Sequence, residues 1–234
     1  MTEDVSTWGL ANNVTTAITT RHSIRNFLST PVPRKDIEEI LSVARRAPSG
    51  TNMQPWWVYV VTNDRKNRLS DALLQAHHNG ASAWKPEHQY YPDSFQEPYK
   101  ARRKKVGWSL YGLLGIERGQ NEKMHQQHGR NFQFFDAPVG LIFTIDRELK
   151  IGSWLDYGMF IQNVMLLARE KGLHTCPQAA FTGHHQVIRD CLPIPDEQSL
   201  VCGMSLGYAN PDAIENSLIT EREPVDSFTR FIDS

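Results

Sequence analysis

Residues 21–27 read RHSIRNF, and residues 47–56, one predicted helix further along the chain, read APSGTNMQPW. Side chains at positions 21, 23 and 25 point the same way in an extended segment, and positions 21 and 25 share a face in a helix. Either conformation gathers the guanidinium groups of Arg21 and Arg25, and the extended one adds the Ser23 hydroxyl. Because arginine suits bidentate contact with phosphate, the first segment predicts a local anion site. A solvated basic loop is the alternative interpretation.

The second segment, residues 47–56, lies between the end of one predicted helix and the start of a predicted strand. It is rich in small residues and in amide and hydroxyl donors. Such a loop lets the backbone approach a flat ligand closely. Pro48 and Gly50 would suffice to end a helix and begin a strand, but Asn52 and Gln54 are not needed for that purpose.

The pattern of apolar residues around these segments predicts an α+β domain. The chain has 234 residues, 40% of them hydrophobic, which is enough for one substantial core. Helical spacing predicts helices at 10–20, 34–47, 64–78, 99–114, 153–171 and 184–192. Apolar runs predict buried strands at 56–62, 138–145 and 200–206, and a short strand or turn at 174–181. We therefore expect residues 1–234 to form a single domain in which helices wrap a small sheet.

Three regions depart from this regular pattern. An excursion at about 79–135 lacks a clear period apart from its helix, and an extended tail follows at about 208–234. The tail ends in apolar residues, including Phe228 and Phe231, and such a tail usually docks on another surface. Helix 153–171 is apolar nearly all round, which places it at the centre of the domain or of a dimer.

Composition excludes several classes of protein. The 25 basic and 26 acidic side chains give a formal net charge of −1, so no overall field attracts nucleic acid or a membrane. The three cysteines form no CxxC motif, which favours a reducing cytoplasm. The N-terminal residues do not resemble a secretory signal, and no apolar run is long enough for a membrane span.

Classical nucleotide and metal motifs are also missing from the sequence. Neither GxGxxG nor GxxxxGK[ST] occurs, which excludes nucleotide binding by those loops. The histidines at 77–78, 125, 128 and 184–185 lack a matching carboxylate at metal-ligand spacing. We therefore predict no metal site.

Together, RHSIRNF, a helix of about fourteen residues and APSGTNMQPW resemble the nitroreductase family of FMN-dependent oxidoreductases. The stretch CPQAAF at 176–181 resembles the family's segment beside the flavin, and GMSLGY at 203–208 resembles its last strand. The resemblance covers the chain except the excursion. It is closest to the subset that acts on nitrobenzoate-like compounds. It implies a small mixed sheet surrounded by helices in an intertwined homodimer.

The resemblance assigns cofactor contacts residue by residue. Arg21 and Ser23 would hold the FMN phosphate with Arg222, and Arg25 would lie against the pyrimidine edge of the ring. Residues 48–52 would reach the flavin from the partner subunit, and residues 177–180 would line the ring near N5 through backbone N–H groups. The full set is Arg21, His22, Ser23, Arg25, Pro48, Ser49, Gly50, Asn52, Pro177, Gln178, Ala179, Ala180 and Arg222. Many relatives carry an acidic residue and Gly in place of Ala179-Ala180, so this chain departs from the family there.

The resemblance also implies the reaction. No protein side chain is expected to be catalytic, because N5 of bound FMN would perform the redox chemistry. NAD(P)H would reduce the flavin and leave, and a nitroaromatic or quinone-like acceptor would then take two electrons in the same slot, in ping-pong order. The alternatives are a flavin or enone reductase, a reductive dehalogenase on the same scaffold and, more distantly, a non-catalytic flavin-binding protein.

Two features of helix 99–114 concern the substrate. Trp108 and Tyr111 are predicted either to fill the core or to stack on an aromatic substrate. The basic run at 100–105 is either a solvated face or a site of attraction for NADPH phosphates or a carboxylated substrate.

Overall fold

One central strand is buried almost throughout, and its side chains divide between two hydrophobic clusters on opposite faces of the sheet. In a computed structural model that describes residues 8–80 and 85–233, strand Val139–Asp146 directs Val139, Leu141 and Phe143 to one hydrophobic cluster. Ile142, between them, belongs to a second cluster. Successive side chains of a strand point to opposite faces, so this strand is covered by core on both sides.

Four strands make up the sheet of the described chain. They are β1 (Trp57–Thr62), β2 (Val139–Asp146), β3 (His174–Gln178) and β4 (Gln198–Gly207), in the order β1-β2-β4-β3. Each neighbouring pair is antiparallel, with Val139 of β2 opposite Leu206 of β4 and Gln178 of β3 opposite Gly203. The expected mixed sheet is thus antiparallel in its ladders. A parallel pairing occurs only as an isolated bridge between Ser23 and Thr175 among the described residues.

Helices surround this sheet. In the described residues they are α1 (Val14–Thr20), α2 (Arg34–Ala44), α3 (Asn63–His78), α4 (Tyr99–Leu113), α5 (Asn121–Gly129), α6 (Ile151–Glu170), α7 (His185–Cys191) and α8 (Val225–Phe228). Asn13 caps α1 by accepting a hydrogen bond from Thr16 N at 2.8 Å. Helices α2 and α6 cover one face of the sheet, and α3 and α7 cover the other. The predicted α+β class is confirmed.

Strand β1 corrects one prediction. Its apolar run was expected to be buried on both faces, but Trp57 is 51% exposed and Val60 is 41% exposed. The reason is that β1 lies at the edge of the sheet, and only Val61 in it is fully buried.

The prediction for residues 115–135 is also wrong. The sequence predicted no regular structure there, yet α5 and a short 3-10 helix, Arg130–Asp136, occupy the region. Phe134, Phe135 and Asp136 all have positive φ. The side chain of Arg130 makes two hydrogen bonds to the Asp136 carboxylate, at 2.7 and 2.6 Å, and so braces this left-handed turn.

Helix α6 is buried on one side only. Tyr157, Phe160 and Val164 are in the core, whereas Ile151 is 87% exposed and Leu155 is 71% exposed. The described helices include none with the length and apolar character needed to cross a bilayer.

Candidate functional site

Residues 21–28 form an extended strap beside β3. Ile24 N donates to Thr175 O at 3.2 Å, Phe27 N donates to Phe135 O at 3.0 Å and Leu28 N donates to Tyr208 O at 2.9 Å. Ile24 and Phe27 are buried, which fixes the strap in the core. The extended alternative of the sequence prediction is therefore the one adopted.

The Asn216 side chain ties the strap to the C-terminal region. Its Oδ1 accepts from Arg25 N at 2.7 Å, and its Nδ2 donates to the carbonyls of Asn26 and Asn210. The Arg25 guanidinium is held in turn by a bond from Nη1 to Ser23 O at 3.3 Å. A buried amide thus brings both ends of the chain together.

Arg21 and Arg222 meet at this junction. Burial lowers the pKa of the half-buried Arg21 guanidinium, and the charge of Arg222 lowers it further. Arg222 is exposed and donates from Nη1 to the Thr220 hydroxyl at 2.8 Å. Within the part of the chain that the structure describes, no carboxylate pairs with Arg21. Two neighbouring cations without an intervening acid favour the binding of an anion.

Cys176 on β3 connects this cation pair to a cavity. Burial raises the pKa of its thiol, while the nearby Arg25, Ser23 and Arg21 act to lower it. Both Cys176 and Arg25 line a cavity of about 620 Å³. This volume lies within the range of small-molecule and cofactor sites.

The cavity has cationic, amide and aromatic side chains in its wall. Among the described residues, no aspartate or glutamate lines it. Its aromatic members include Tyr90, Tyr91, Tyr111 and Phe135. The site is therefore suited to a flat ring that carries negative charge.

Residues 177–180 form the β3 wall of the cavity. The Gln178 side chain is buried; its Nε2 donates to Asn131 O at 2.8 Å and its Oε1 accepts from the Ser205 hydroxyl at 2.7 Å. Because these bonds engage the side chain within the protein, any ligand contact by Gln178 falls to its backbone. Ala179 and Ala180 follow in a 3-10 turn and are half-buried.

Gly203 of β4 lies beneath this wall and leaves room for the Phe181 ring. The Phe181 ring lies directly over Gly203 of β4, where a Cβ atom would overlap the ring carbons. A side chain at position 203 would therefore displace Phe181 and the turn that contains it.

The loop at 48–54 lies apart from the cavity in the single chain. Gly50 N donates to the Asp156 carboxylate of α6 at 3.0 Å, and Gln54 N donates to Ser49 Oγ at 3.0 Å. Thr51, Asn52 and Gln54 all have positive φ, a strained conformation for residues other than glycine. Of the predicted contacts, Pro48, Gly50 and Asn52 are exposed and Ser49 is half-exposed, and none lines the cavity.

Helix α4 carries Trp108 and Tyr111, the two residues predicted to bind the substrate. Tyr111 lines the cavity, whereas Trp108 is not among its lining residues. The Trp108 ring packs edge-on against Tyr111 with centroids 5.7 Å apart, and Arg118 lies over its face at 5.0 Å. The Trp108 ring thus packs against a residue of the cavity wall, and a direct contact between Trp108 and a substrate remains a prediction.

His22 also lies outside the cavity lining. Its ring nitrogens contact Thr20 O at 3.2 Å and Asn216 O at 3.1 Å. The ring therefore helps to join the strap to the C-terminal region. A contact between His22 and a cofactor remains a prediction.

Glu87 anchors the loop at 85–91, which sequence reasoning missed. Its side chain is 4% exposed and pairs with Arg147 and with Arg189, the latter at 3.1 Å. Burial acts to raise the pKa of this carboxyl, but the N–H of Leu200 and the neighbouring cations outweigh it, so the pKa is lowered. The loop that follows Glu87 places His88, Gln89, Tyr90 and Tyr91 in the cavity wall.

Histidines that are distant in sequence also converge near the cavity. The rings of His77 and His125 stack with centroids 3.9 Å apart, and His78 and His128 lie beside them. Over residues 8–80 and 85–233, no three metal-ligating side chains have an arrangement that could hold a metal ion.

Sequence comparisons match this chain to nitroreductases. The model of the nitroreductase family matches residues 18–208. The 4-nitrobenzoate reductase of Pseudomonas putida is 46% identical over 223 residues, which cover 95% of this chain and 97% of that protein. The chloronitrobenzene nitroreductase of Comamonas testosteroni is 41% identical over 91% of this chain and 93% of its own length.

A solved structure agrees with these sequence matches. The FMN- and NADPH-dependent nitroreductase NfnB from sphigopyxis sp. strain HMH superposes with a TM-score of 0.92. It is 34% identical to this chain, and the match covers 95% of this chain and 100% of that structure.

Proposed function

The chain belongs to the nitroreductase family, and from this premise we propose that it is an FMN-dependent oxidoreductase that passes electrons from NAD(P)H to nitroaromatic acceptors. Quinone-like compounds are the second class of acceptor that we propose. Relatives named for the reduction of nitrobenzoate and chloronitrobenzene support the nitroaromatic class.

The observation that carries the proposal is the cation pair next to a cavity without acids. FMN joins an aromatic ring system to a phosphate with a charge of about −1.5 to −2. The positive charges of Arg21 and of the neighbouring Arg222 match the phosphate, and Ser23 lies beside the Cys176 thiol. The acid-free cavity matches the ring. The residues of this chain therefore fit the cofactor.

When bound, FMN supplies two-electron transfer between a nicotinamide and an acceptor. The protein would position the flavin ring and polarise it through nearby charges and hydrogen-bond donors. Arg25 in the cavity wall provides a fixed cation, which favours negative charge on the pyrimidine side of a flavin. Residues 177–180 line the same space, and of these Gln178, Ala179 and Ala180 carry backbone N–H groups that could contact the ring. Tyr111 of α4 lines the cavity as well. No protein acid or nucleophile is required for this chemistry.

We propose a homodimer in which each subunit completes the other's site. Exposed apolar side chains on α6 and β1, such as Leu155 and Trp57, form a surface that a second subunit would cover. The exposed tail residues Phe228 and Phe231 would add to it. The loop with Gly50 and Asn52 is bound to α6, so a partner that packs on α6 would bring this loop toward the other subunit's cavity.

A cytoplasmic location completes the proposal. The three cysteines, Cys176, Cys191 and Cys202, are free thiols, which suits a reducing compartment.

Anaerobic spectroscopy tests the function directly. The purified protein should be yellow, with flavin absorbance near ~450 nm. NADPH should bleach this band, and a nitroaromatic compound should restore it faster than buffer does. Colourless protein that does not take up FMN would overturn the cofactor assignment. Bound flavin that neither nicotinamide bleaches would instead indicate a flavin-binding protein without this activity.

The rival reactions on the same scaffold differ in the acceptor. Recovery of the band with free flavin, an enone or a halogenated phenol, but not with a nitroarene, would favour those reactions.

A further inference from the structure

The Arg103 side chain on α4 is positioned by two aromatic rings, and its N–H donors make no hydrogen bond to the described residues. Its guanidinium lies over the rings of Phe95 and Tyr91, at 4.6 and 5.4 Å from their centroids. Such stacking orients the guanidinium plane while its N–H groups stay free. Within the described ranges, no protein acceptor or carboxylate pairs with Arg103, although it lines the cavity.

Two of its basic neighbours on α4, Arg102 and Lys105, form ion pairs with the C-terminal segment. Arg102 pairs with Glu223 at 3.0 Å, and Lys105 pairs with Glu221 at 2.6 Å. Both line a separate groove between α4 and residues 218–224, and neither lines the cavity. Arg103 alone of these three borders both spaces, and its charge is not neutralised by the C-terminal segment.

The composition of the cavity wall favours the binding of an anion. No acidic side chain of the described residues lines the cavity, so an anion inside it meets no carboxylate in the cavity wall. Glu221 and Glu223 line the neighbouring groove instead, where they pair with Lys105 and Arg102. Arg25 lines the same cavity from the strap, beside Cys176. The two arginines therefore come from different elements. Of these two arginines in the described cavity wall, Arg103 is left for a second anionic ligand once Arg25 faces the cofactor.

We propose that Arg103 recognises the carboxylate of carboxylated nitroarenes and so determines the preference of this chain among nitroaromatic acceptors. This inference rests on the proposed function. A planar guanidinium binds a carboxylate through two parallel hydrogen bonds, and Tyr91 and Tyr111 in the same wall offer ring faces for the arene. Arg103 is thus a specificity-determining residue that leaves the electron transfer itself unchanged.

Paired substrates separate this role from a general one. The holoenzyme and its Arg103→Ala variant would be assayed with 4-nitrobenzoate and with 4-nitrotoluene, in which a neutral methyl group replaces the carboxylate. We expect kcat/KM for 4-nitrobenzoate to fall about 10- to 100-fold, mainly through KM, as for the loss of a charged hydrogen bond. The value for 4-nitrotoluene should change less than about threefold. Arg103→Lys should restore part of the loss.

A binding measurement that needs no turnover accompanies the assay. Benzoate titrated into the oxidised holoenzyme should bind more weakly to Arg103→Ala by a similar factor, whereas benzamide should bind equally to both. Arg102→Ala is the matched control, because it removes an adjacent cation that faces the groove, and it should leave benzoate binding unchanged. FMN content and melting temperature would verify that each variant is folded.

Three results would overturn the inference. One is an equal loss for 4-nitrobenzoate and 4-nitrotoluene, which would make Arg103 structural. Another is unchanged benzoate affinity in Arg103→Ala. The third is a selective rise in KM for NADPH but not NADH, which would assign the cation to the nucleotide phosphate. A holoenzyme that reduces no nitroarene at all would instead refute the proposed function, and the benzoate titration would still test the anion site.

Discussion

Arg21 and Arg222, near opposite ends of the chain, interact electrostatically: burial lowers the pKa of the Arg21 guanidinium, and the charge of Arg222 lowers it further. Such a pair is costly unless an anion joins it. The hydrogen bonds of Asn216 to Arg25 N and Asn26 O hold the C-terminal segment on the strap at 21–28 despite this repulsion. The cation pair also leads directly to a test of the cofactor assignment.

Arg21→Ala should weaken FMN binding by about 1–3 kcal/mol, because one charge-assisted contact is lost. Riboflavin has no phosphate, so its affinity should change little. Titration of apoprotein with each flavin would measure both values. Arg45→Ala is a suitable control, since Arg45 is exposed at the end of α2 and its side chain donates to the nearby Ser42 carbonyl. An equal loss for FMN and riboflavin would contradict the phosphate role.

Leu155→Glu should disrupt the proposed dimer, because it buries a charge against the partner's apolar surface. Leu155 is 71% exposed in the single chain, so the substitution has no reason to unfold the subunit. Analytical ultracentrifugation should show monomers with weakened FMN binding. Asn67→Asp, which adds a carboxylate at an exposed position of α3, should remain dimeric. A monomeric wild-type protein that retains FMN would reject the shared site.

Tyr111→Ala should raise KM for the nitroaromatic acceptor by about 2- to 10-fold, the range expected for one lost aromatic contact. Trp108→Ala should have a smaller effect, since Trp108 packs against Tyr111 and does not line the cavity. Steady-state kinetics with both substrates would measure this difference. A larger effect of Trp108 than of Tyr111 would show that the α4 wall is arranged differently during turnover.

Glu87→Gln should destabilise the protein by about 3–5 kcal/mol, because Arg189 and Arg147 would lose their buried anion. The loop at 85–91 would lose its anchor, so acceptor binding should weaken as well. Thermal unfolding and kinetics on the surviving fold would measure the two effects. Glu148→Gln offers a nearby control at an exposed carboxylate, and an equal response of both variants would argue against the anchoring role.

His174 makes the stability depend on pH. Burial lowers the pKa of its imidazole to about 3, with further contributions from the charges of Arg169 and His22. The ring stays neutral in the folded protein and contacts Arg169 Nη1 through Nε2 at 2.8 Å. The unfolded chain takes up this proton near pH 6.5, so His174 contributes its full stability above that pH and loses it as the pH falls toward about 3.

Chemical denaturation between pH 7 and 4 would reveal this dependence. The free energy of unfolding should fall by about 1.4 kcal/mol per pH unit from this residue. His174→Gln keeps an acceptor for Arg169 and should flatten that slope. An unchanged slope in the variant would assign the acid sensitivity to other groups.

Much of this fold could be predicted because its central strands are buried and their sequences are continuous apolar runs. Strands β2 and β4 are almost entirely buried, and their apolar runs predicted them. Strand β1 has a similar run, yet Trp57 and Val60 are exposed at the sheet edge. An apolar run cannot distinguish burial inside one chain from burial against a second chain. The apolar run of α6 is ambiguous in the same way, and in the proposed homodimer its exposed face would be covered by the partner.

Helix α5 could not be predicted for the opposite reason. Its sequence, NEKMHQQHG, is polar on all sides and buries only Gly129, so it carries no helical period. The site shows the same contrast. Local motifs predicted the strap with Arg21 and Arg25, but Glu87 and the histidines of α3 and α5 are joined only by tertiary packing. Nothing in the local sequence marks such partners.

The contact between Gly203 and Phe181 limits how this protein can diversify. Any larger residue at 203 would lift the turn that carries Ala179 and Ala180. New acceptors are therefore more readily accommodated from the opposite wall, where Gln89 and Tyr91 are exposed. Evolution, or a directed library, can alter the choice of substrate there while the sheet side holds the electron-transfer geometry constant.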